Sequence, residues 1–268
     1  MPLSSLTRLV VLAGLVTGFA DIALAGSAWD DIRPATFGER TIADGRDVLS
    51  FQAPYRAEDQ RAVPLGVEAA FADGRTIKSV TLIIDENPMP VAAVFDFADQ
   101  RTRTALTVNI RLDHASPVRV VVEASDGALY MAERFVKASG LGVCAAPPAG
   151  DPKLIAATMG QMSLTALAGE GAATAVRPRA QLEIKHPQNT GMQMNQVTML
   201  YIPLRFVSSI AVSQGDEKLF SVTGSMTLSE DPRIAFDYRR NGAERIKVRA
   251  EDTNGAVWQQ DFPIGPNS

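Results

Sequence analysis

Cysteine is almost absent from this chain of 268 residues, in which Cys144 is the only one. A single cysteine cannot form an internal disulfide, so its thiol either stays free or pairs with an external group. Three interpretations of Cys144 therefore stand side by side. It is a working thiol, a small buried apolar residue, or the site of a disulfide between two copies of the chain.

Histidine is almost as scarce, since His114 and His186 are the only two. Their separation in sequence does not fit the spacing of a metal-binding motif. The sequence also lacks a Gly-x-Ser-x-Gly nucleophile elbow and a glycine-rich phosphate-binding loop. These absences predict that the chain is not an enzyme and holds no metal and no cofactor.

A strong excess of charge is lacking as well, because the formal net charge is only −4. Proteins that bind nucleic acid usually carry a basic patch that neutralises phosphates. A mildly acidic chain does not fit that class of partner, so we predict that nucleic acid is not bound.

Long apolar runs are confined to the N-terminus. Residues 9–20 follow Arg8, and Ala23-Leu24-Ala25 comes next. A basic residue, a short apolar run and a small-x-small site are typical of a secretory signal peptide. We therefore expect cleavage after Ala25 and an exported protein. No later run reaches the ~20 apolar residues of a membrane-spanning helix, so no membrane span is predicted.

The first half of the chain is rich in short runs of Val, Ile, Thr and Phe, which favour β-strands. Turn-forming pairs such as Asp73-Gly74 and Asp126-Gly127 separate these runs. Antiparallel strands in this number and spacing predict an immunoglobulin-like β-sandwich. We expect the strands at residues 48–51, 63–71, 77–85, 89–97, 104–112, 118–125 and 129–136.

A second series of strand-like runs fills the last third of the chain, and its last two runs flank an Asn254-Gly255 turn. This ending is similar to the one around Asp126-Gly127, so both series close with the same strand-turn-strand unit. The expected strands are residues 180–185, 197–207, 210–213, 218–226, 234–238, 245–250 and 257–263. The predicted fold is all-β, with two immunoglobulin-like β-sandwich domains joined by a linker containing one short α-helix. The expected boundaries are 1–25 for the signal peptide, 26–138 for the first sandwich, 139–175 for the linker and 176–268 for the second sandwich.

The linker contains Cys144 and is poor in charge. Glycines before the thiol and prolines after it suit a group that must be presented to a partner. We interpret Gly140, Gly142, Val143 and Ala145 as the presenting loop. A helix is predicted over residues 152–168, with Asp151 as N-cap, Pro152 in the first turn and an apolar face against one domain.

Two sets of motifs carry a resemblance to known families. The first set is Trp29, Phe37-Gly38, residues 80–85, Asn87-Pro88 and Pro90. It resembles SoxY, the subunit that bears the carrier cysteine of bacterial sulfur oxidation. The second set is residues 185–191, a later strand containing Pro203, and Asp252-Thr253-Asn254-Gly255. It resembles SoxZ, the immunoglobulin-like partner subunit.

The order SoxY-like, cysteine, SoxZ-like is similar to the fused SoxYZ-like carrier family associated with quinoprotein dehydrogenases. The resemblance implies a periplasmic carrier in which Cys144 holds a covalent sulfur adduct while partner enzymes act on it. The implied partners are Sox-type enzymes or a quinoprotein dehydrogenase and cytochrome system. SoxY ends in a Gly-Gly-Cys-Gly arm, whereas here Val143 and Ala145 flank the thiol and more than a hundred residues follow.

Other interpretations remain beside this one. Lys185, His186 and Pro187 are candidate interface residues, and for His186 we prefer a solvent-exposed position over one at the domain junction near the thiol. A second interpretation is a non-covalent accessory or docking module for a periplasmic quinoprotein dehydrogenase, in which the cysteine is structural. The chain could also be a copper chaperone, because Met192-Gln193-Met194 has the Met-x-Met spacing of copper(I) sites.

Overall fold

The computed structural model describes residues 27–138, 143–146, 148, 150–167 and 177–264. The predicted signal peptide lies outside the described residues. In the described part of the chain, no helix combines the length and the apolar character needed to cross a membrane.

The first half contains one helix and eight strands. All seven strands predicted there are confirmed, with bounds that differ by a few residues, because their apolar residues face a core. The sequence did not indicate the short first strand, which pairs in parallel with the last one. The elements are α1 (Ala28–Phe37), β1 (Ile42–Asp44), β2 (Leu49–Gln52), β3 (Val63–Ala70), β4 (Ile77–Ile84), β5 (Val91–Phe97), β6 (Arg103–Ile110), β7 (Ser116–Ala124) and β8 (Leu129–Val136).

The second half begins with a 3-10 turn, Val143–Ala145, that contains Cys144. Its closing strands form a hairpin like the one that closes the first half, and the turn glycines of both, Gly127 and Gly255, have positive φ. The elements are α2 (Pro152–Thr158), β9 (Met162–Leu167), β10 (Arg179–Ile184), β11 (Val207–Gln214), β12 (Glu217–Gly224), β13 (Arg233–Asp237), β14 (Arg245–Asp252) and β15 (Val257–Pro263).

The predicted helix over residues 152–168 is wrong in its second part. Asp151 does cap α2, accepting a hydrogen bond of 2.8 Å from the backbone N–H of Lys153. The helix ends at Thr158, and Gly160 then adopts a φ of 82°. A Cβ at residue 160 would lie 2.0 Å from Nε1 of Trp258, so only glycine fits there. Beyond this reversal the chain continues as β9, which pairs antiparallel with β10.

The predicted strand over residues 197–207 is also wrong, since only its last residue belongs to β11. Residues 191–204 instead form a loop, which we call the apolar loop. Its apolar residues suggested a strand, but most of them face solvent and not the core. The predicted strands on either side of this loop are confirmed.

Two sheets run through both halves of the molecule. One has nine strands in the order β1-β8-β7-β4-β5-β12-β11-β14-β15, and the other has six in the order β2-β3-β6-β13-β10-β9. The halves meet where β5 pairs with β12 and β6 pairs with β13, both antiparallel. The two immunoglobulin-like units are therefore joined edge to edge by backbone hydrogen bonds into one extended sandwich.

The hydrophobic core is continuous across this junction, with one cluster that includes residues from Leu49 to Phe262. Phe220 lies at its centre and is fully buried. Its ring centroid is 6.1 Å from that of Phe95 in the first half and 5.0 Å from that of Phe236 in the second. Aromatic packing therefore couples the two halves.

Helix α1 covers the outer face of the large sheet in the first half. Its Phe37 packs with Ile83, Val121 and Leu129, which project from that face. The guanidinium of Arg119 lies over the Trp29 ring, 4.4 Å from the centroid. Strands β4 and β7 are consequently buried on both faces, which explains their nearly unbroken apolar sequences.

Candidate functional site

Cys144 lies at the junction of the two halves and is 2% exposed. Its backbone N–H donates a hydrogen bond of 3.1 Å to Oδ1 of Asp113, which belongs to the first half. Its carbonyl accepts a hydrogen bond from the hydroxyl of Thr190, which belongs to the second half. The cysteine is thus held from both sides by hydrogen bonds.

Asp113 follows the end of β6, and Asn87 fixes it there. The Asn87 side chain donates to the carbonyl of Arg111 at 2.8 Å and accepts from the backbone N–H of Asp113 at 2.9 Å. Asn87 is itself buried, in the turn between β4 and β5. The Asn87-Pro88 motif of the sequence therefore shapes the backbone that bears the thiol's carboxylate partner.

Ionisation of the Cys144 thiol to a thiolate is strongly disfavoured. Burial raises its pKa to about 12, and the negative charge of Asp113 and a hydrogen bond to that carboxylate contribute to the rise, while Arg111 opposes the shift. Removing a charge from water is costly, and a carboxylate acceptor keeps the proton on sulfur. In this closed arrangement Cys144 is a protonated, unreactive thiol.

Arg111 connects the cysteine site to the second half of the chain. Its side chain is buried, and its guanidinium donates to the carbonyl of Pro187 at 3.2 Å and to that of Gln188. Its own backbone N–H donates to the carbonyl of Thr227 at 2.7 Å. Arginine remains charged in such a site, although burial lowers its pKa.

The base of the apolar loop completes the site. Thr190 donates to the Cys144 carbonyl, and Nε2 of Gln193 donates to the carbonyl of Ala146 at 2.9 Å. Oε1 of Gln193 accepts from the backbone N–H of Thr190 at 3.0 Å, so the two side chains act as one unit. Both residues are buried.

The expected solvent exposure of His186 is wrong, because its side chain is buried at the junction. Nδ1 accepts a hydrogen bond of 3.0 Å from the backbone N–H of Gln188. The neutral ring then carries its proton on Nε2, which lies 3.5 Å from Oδ2 of Asp252. Burial lowers the pKa of His186 to about 4, and the Asp252 charge offsets this only in part.

Acidification is therefore expected to destabilise the protein through His186. A depressed histidine pKa contributes stability above the unfolded value of 6.5, and this is lost as the pH falls through 6.5 towards 4. The free energy of unfolding should decrease by about 3 kcal/mol over that window. Urea unfolding at several pH values measures it.

The variant H186Q should be less stable near neutral pH and should lack this acid-dependent loss. H114Q, which replaces the exposed histidine and leaves His186 in place, should keep it. An unchanged free energy of unfolding between pH values of about 7 and about 4 in the wild type would contradict the assignment.

The other predicted site residues have mixed surroundings. Lys185 is partly exposed and forms ion pairs with Asp231 at 2.8 Å and Glu183 at 2.6 Å. Pro187 is buried and supplies a carbonyl to Arg111. Ala145 is exposed beside the buried cysteine. Gly140, Gly142 and the side chain of Val143 lie outside the described residues.

Sequence reasoning missed Arg111, Asp113, Thr190 and Gln193 as parts of the cysteine site. Thr190 stood inside the SoxZ-like motif, so that motif was a usable signal for it. Asp113 gave only the weak signal of a charged residue directly after a strand. The contacts join residues far apart in sequence, which no local pattern reports.

Two cavities border the described residues near these elements. The larger, of about 1610 Å³, is lined by Arg103 and by residues of β1, β2 and β8, at the end of β6 opposite Asp113. A smaller hollow of about 210 Å³ lies between α2 and residues Lys185, His186 and Pro187. No cluster of three or more His, Cys, Asp or Glu side chains suited to a metal is found among the residues that the structure describes.

Comparisons with known proteins divide the chain in the same way as the fold. A family model described as sulfur oxidation protein SoxY matches residues 33–144. A model described as sulphur oxidation protein SoxZ matches residues 170–263. No curated protein matches the chain.

Solved structures to which the chain is similar include the sulfur carrier protein SoxY from Chlorobium limicola f thiosulfatophilum. It is 27% identical, covers 42% of this chain and 98% of its own, and has a TM-score of 0.34. A putative superoxide reductase from Thermotoga maritima is 12% identical, covers 37% of this chain and 94% of its own, and has a TM-score of 0.32. A superoxide reductase (neelaredoxin) from Ignicoccus hospitalis is 10% identical, covers 41% and 91%, and has a TM-score of 0.28.

The family assignment rests on the two family models, which follow one another along the chain and together cover most of it. The SoxY match ends at the only cysteine, and the SoxZ match begins after α2. The chain therefore belongs to the SoxY and SoxZ families, as a fused SoxYZ-like sulfur carrier.

Proposed function

We propose that this protein is an exported, periplasmic carrier in which Cys144 holds the sulfur cargo as a covalent adduct. One observation carries the proposal: the only cysteine lies where the SoxY match ends. Its backbone is hydrogen-bonded to Asp113 of one half and to Thr190 of the other. Both hydrogen bonds are to the Cys144 backbone and lie outside the strand pairings, so they can break and reform while both sheets stay intact.

The loading step is a thiol-disulfide exchange. The Cys144 thiolate attacks a sulfur of a donor persulfide or disulfide, a new S–S bond forms at Cys144, and the donor's S–S bond breaks. The donor leaves as a thiolate and takes up the proton that Cys144 lost. No net oxidation occurs, so the carrier needs no cofactor of its own.

The closed site is the resting state of this carrier. A protonated thiol with a pKa of about 12 resists oxidation and premature exchange. The hydrogen bonds of Cys144 to Asp113 and Thr190 have to break before the thiol can be loaded or unloaded. The partner enzyme then supplies the activated reagent, which fits a protein that does not itself catalyse the chemistry.

The SoxYZ family implies interaction with Sox-type enzymes. We extend the proposal to a quinoprotein dehydrogenase and cytochrome system as the redox partner of this fused carrier. That extension is supported only by the resemblance of the fused order of domains. Co-purification of the enzyme with the tagged carrier from periplasm, and its absence from a parallel purification with untagged carrier, tests it.

A second candidate function is a non-covalent docking module with a structural cysteine. The burial of Cys144 and its raised pKa favour it, since both are typical of an inert cysteine. In that case C144S retains all activity of the partner system. The carrier function predicts that C144S abolishes it while the fold is retained.

The deciding experiment is intact-mass spectrometry of the protein purified from its native periplasm, before and after reduction. We expect a reducible added mass that maps to Cys144 and is missing in C144S. The N-terminus of the same sample should begin at residue 26. An unmodified thiol in every preparation from cells oxidising sulfur compounds would overturn the carrier proposal.

A further inference from the structure

The apolar loop, residues 191–204, exposes an unusual concentration of large apolar side chains. Val197 is 91% exposed, and Met199, Leu200 and Tyr201 are each about two-thirds exposed. Outside this loop, the large exposed apolar residues of the described surface are Tyr55, Phe135, Leu154 and Val257. Several large apolar side chains exposed on one loop are typical of an interaction site.

The loop is a built hairpin. The backbone N–H of Asn195 donates to the carbonyl of Leu200 at 2.9 Å, and that of Ile202 donates to the carbonyl of Gln193 at 2.8 Å. Oδ1 of Asn195 caps the tip by accepting from the backbone N–H groups of Val197 and Thr198. Internal hydrogen bonds therefore hold the apolar side chains on the outside.

The chemistry of the loop limits what covers it. Residues 187–204 contain no charged residue, so the receiving surface is an uncharged, apolar cleft. A lipid surface usually attracts a segment with basic residues at its rim, whereas the basic residue that follows this loop, Arg205, is paired with Asp252 at 2.6 Å. The large cavity of a second copy includes charged side chains such as Asp47, Glu68 and Arg103 in its lining, so it does not match an uncharged loop.

The base of the same hairpin holds the cysteine. Thr190 and Gln193 donate to the carbonyls of Cys144 and Ala146, and Gln193 also begins the ladder that leads to the tip. The exposed tip and the two side chains that donate to residues 144 and 146 therefore belong to one short hairpin, which is joined by backbone hydrogen bonds.

We propose that the apolar loop is the docking element for a partner protein with an uncharged apolar cleft, and that docking withdraws Thr190 and Gln193 from Cys144 and Ala146 to release the thiol. This deepens the proposed function, on which it rests for the use of the released thiol. Docking and release are tested here by the accessibility of Cys144, which does not depend on any cargo.

Variants at the base of the hairpin test, without a partner, whether Thr190 and Gln193 restrain Cys144. T190V keeps the shape of the side chain and removes the donor to Cys144. We expect native Cys144 to react with iodoacetamide about tenfold faster in T190V, the effect of losing one buried hydrogen bond. T165V, in the exposed part of β9, is the matched control and should react at the wild-type rate.

Should T190V fold poorly, Q193M provides the same test through the donor to Ala146. If both variants fold and both react at the wild-type rate, the hairpin base does not restrain Cys144 and the proposal is overturned. Persistence of the cargo mass on Cys144 in those same variants would leave the carrier function standing, so the two failures are distinguishable.

Variants at the tip test docking. The triple variant M199S/L200S/Y201S changes only exposed side chains, so its alkylation rate alone should equal that of the wild type. A dialysed periplasmic protein fraction from the cells that make the carrier should accelerate alkylation of wild-type Cys144 at least about tenfold at both low and high salt. The triple variant should show no acceleration.

Each alternative occupant has its own outcome. Acceleration that grows with the carrier's own concentration would show a second copy on the loop and overturn the proposal. Acceleration by vesicles of phosphatidylethanolamine and phosphatidylglycerol would show a membrane surface and also overturn it. Equal acceleration of wild type and triple variant, or no acceleration of either, would overturn docking through this loop.

Discussion

The native protein should react with iodoacetamide at least about a hundredfold more slowly than its urea-unfolded chain at about pH 8. A thiol pKa of about 12, against 9.0 for the unfolded chain, lowers the thiolate fraction about a thousandfold at that pH. The greater nucleophilicity of a more basic thiolate recovers only part of this loss. Burial of the sulfur removes access as well. Intact-mass spectrometry at timed intervals gives both rates, because Cys144 is the only site of thiol alkylation.

The pH dependence of the same reaction separates the effect of a raised thiol pKa from the effect of restricted access of the reagent to the sulfur. The native rate should go on rising about tenfold per pH unit above about pH 9, while the rate of the unfolded chain levels off there. D113N removes the charge that the thiol faces and should increase the native rate. Equal rates for native and unfolded protein would show that the closed site is not the resting state.

Replacement of Phe220 by alanine should strongly reduce the stability of the protein. Its fully buried ring contacts aromatic rings from both halves, so truncation leaves a cavity at the junction. We expect the free energy of unfolding to decrease by about 3–5 kcal/mol. Both halves should unfold together, because the sheets and the core cross the junction.

The two tryptophans make this measurable, since Trp29 reports on the first half and Trp258 on the second. Urea unfolding of the single-tryptophan variants W29F and W258F should give coincident transitions, and F220A should shift both. F135A, at a ring that is 46% exposed, is the matched control and should change the stability by less than about 0.5 kcal/mol. Separate transitions for the two halves would contradict a shared core.

The strands of this protein were predictable because each is a local pattern. Short runs of apolar and β-branched residues between turn signals placed β3, β4, β7 and β8 within a few residues of their observed bounds. The errors arose where side-chain type and burial disagree. Met162–Leu167 has good helix formers but pairs with β10, and residues 197–204 have strand-forming apolar residues that face solvent.

The joining of the two halves was not predictable from either half alone. The register of β5 on β12 and of β6 on β13 depends on edges that match only in three dimensions. The same holds for the cysteine site. Cys144 was identified because it is unique, whereas Asp113 and Gln193 became visible only once the chain had brought them within hydrogen-bonding distance of residues 144 and 146.

The continuous sheets restrict how the thiol can become accessible. Two subunits that swing apart about a hinge would open the junction, but here β5–β12 and β6–β13 hydrogen bonds tie the halves into one unit. An opening that exposes Cys144 while these pairings stay intact would be a sub-global event, with a free energy smaller than that of complete unfolding. On our proposal for the hairpin base, substitutions there should change the exposure of Cys144, whereas substitutions in the Phe220 core should change the global stability. The reactivity of the thiol and the lifetime of the fold can then vary independently.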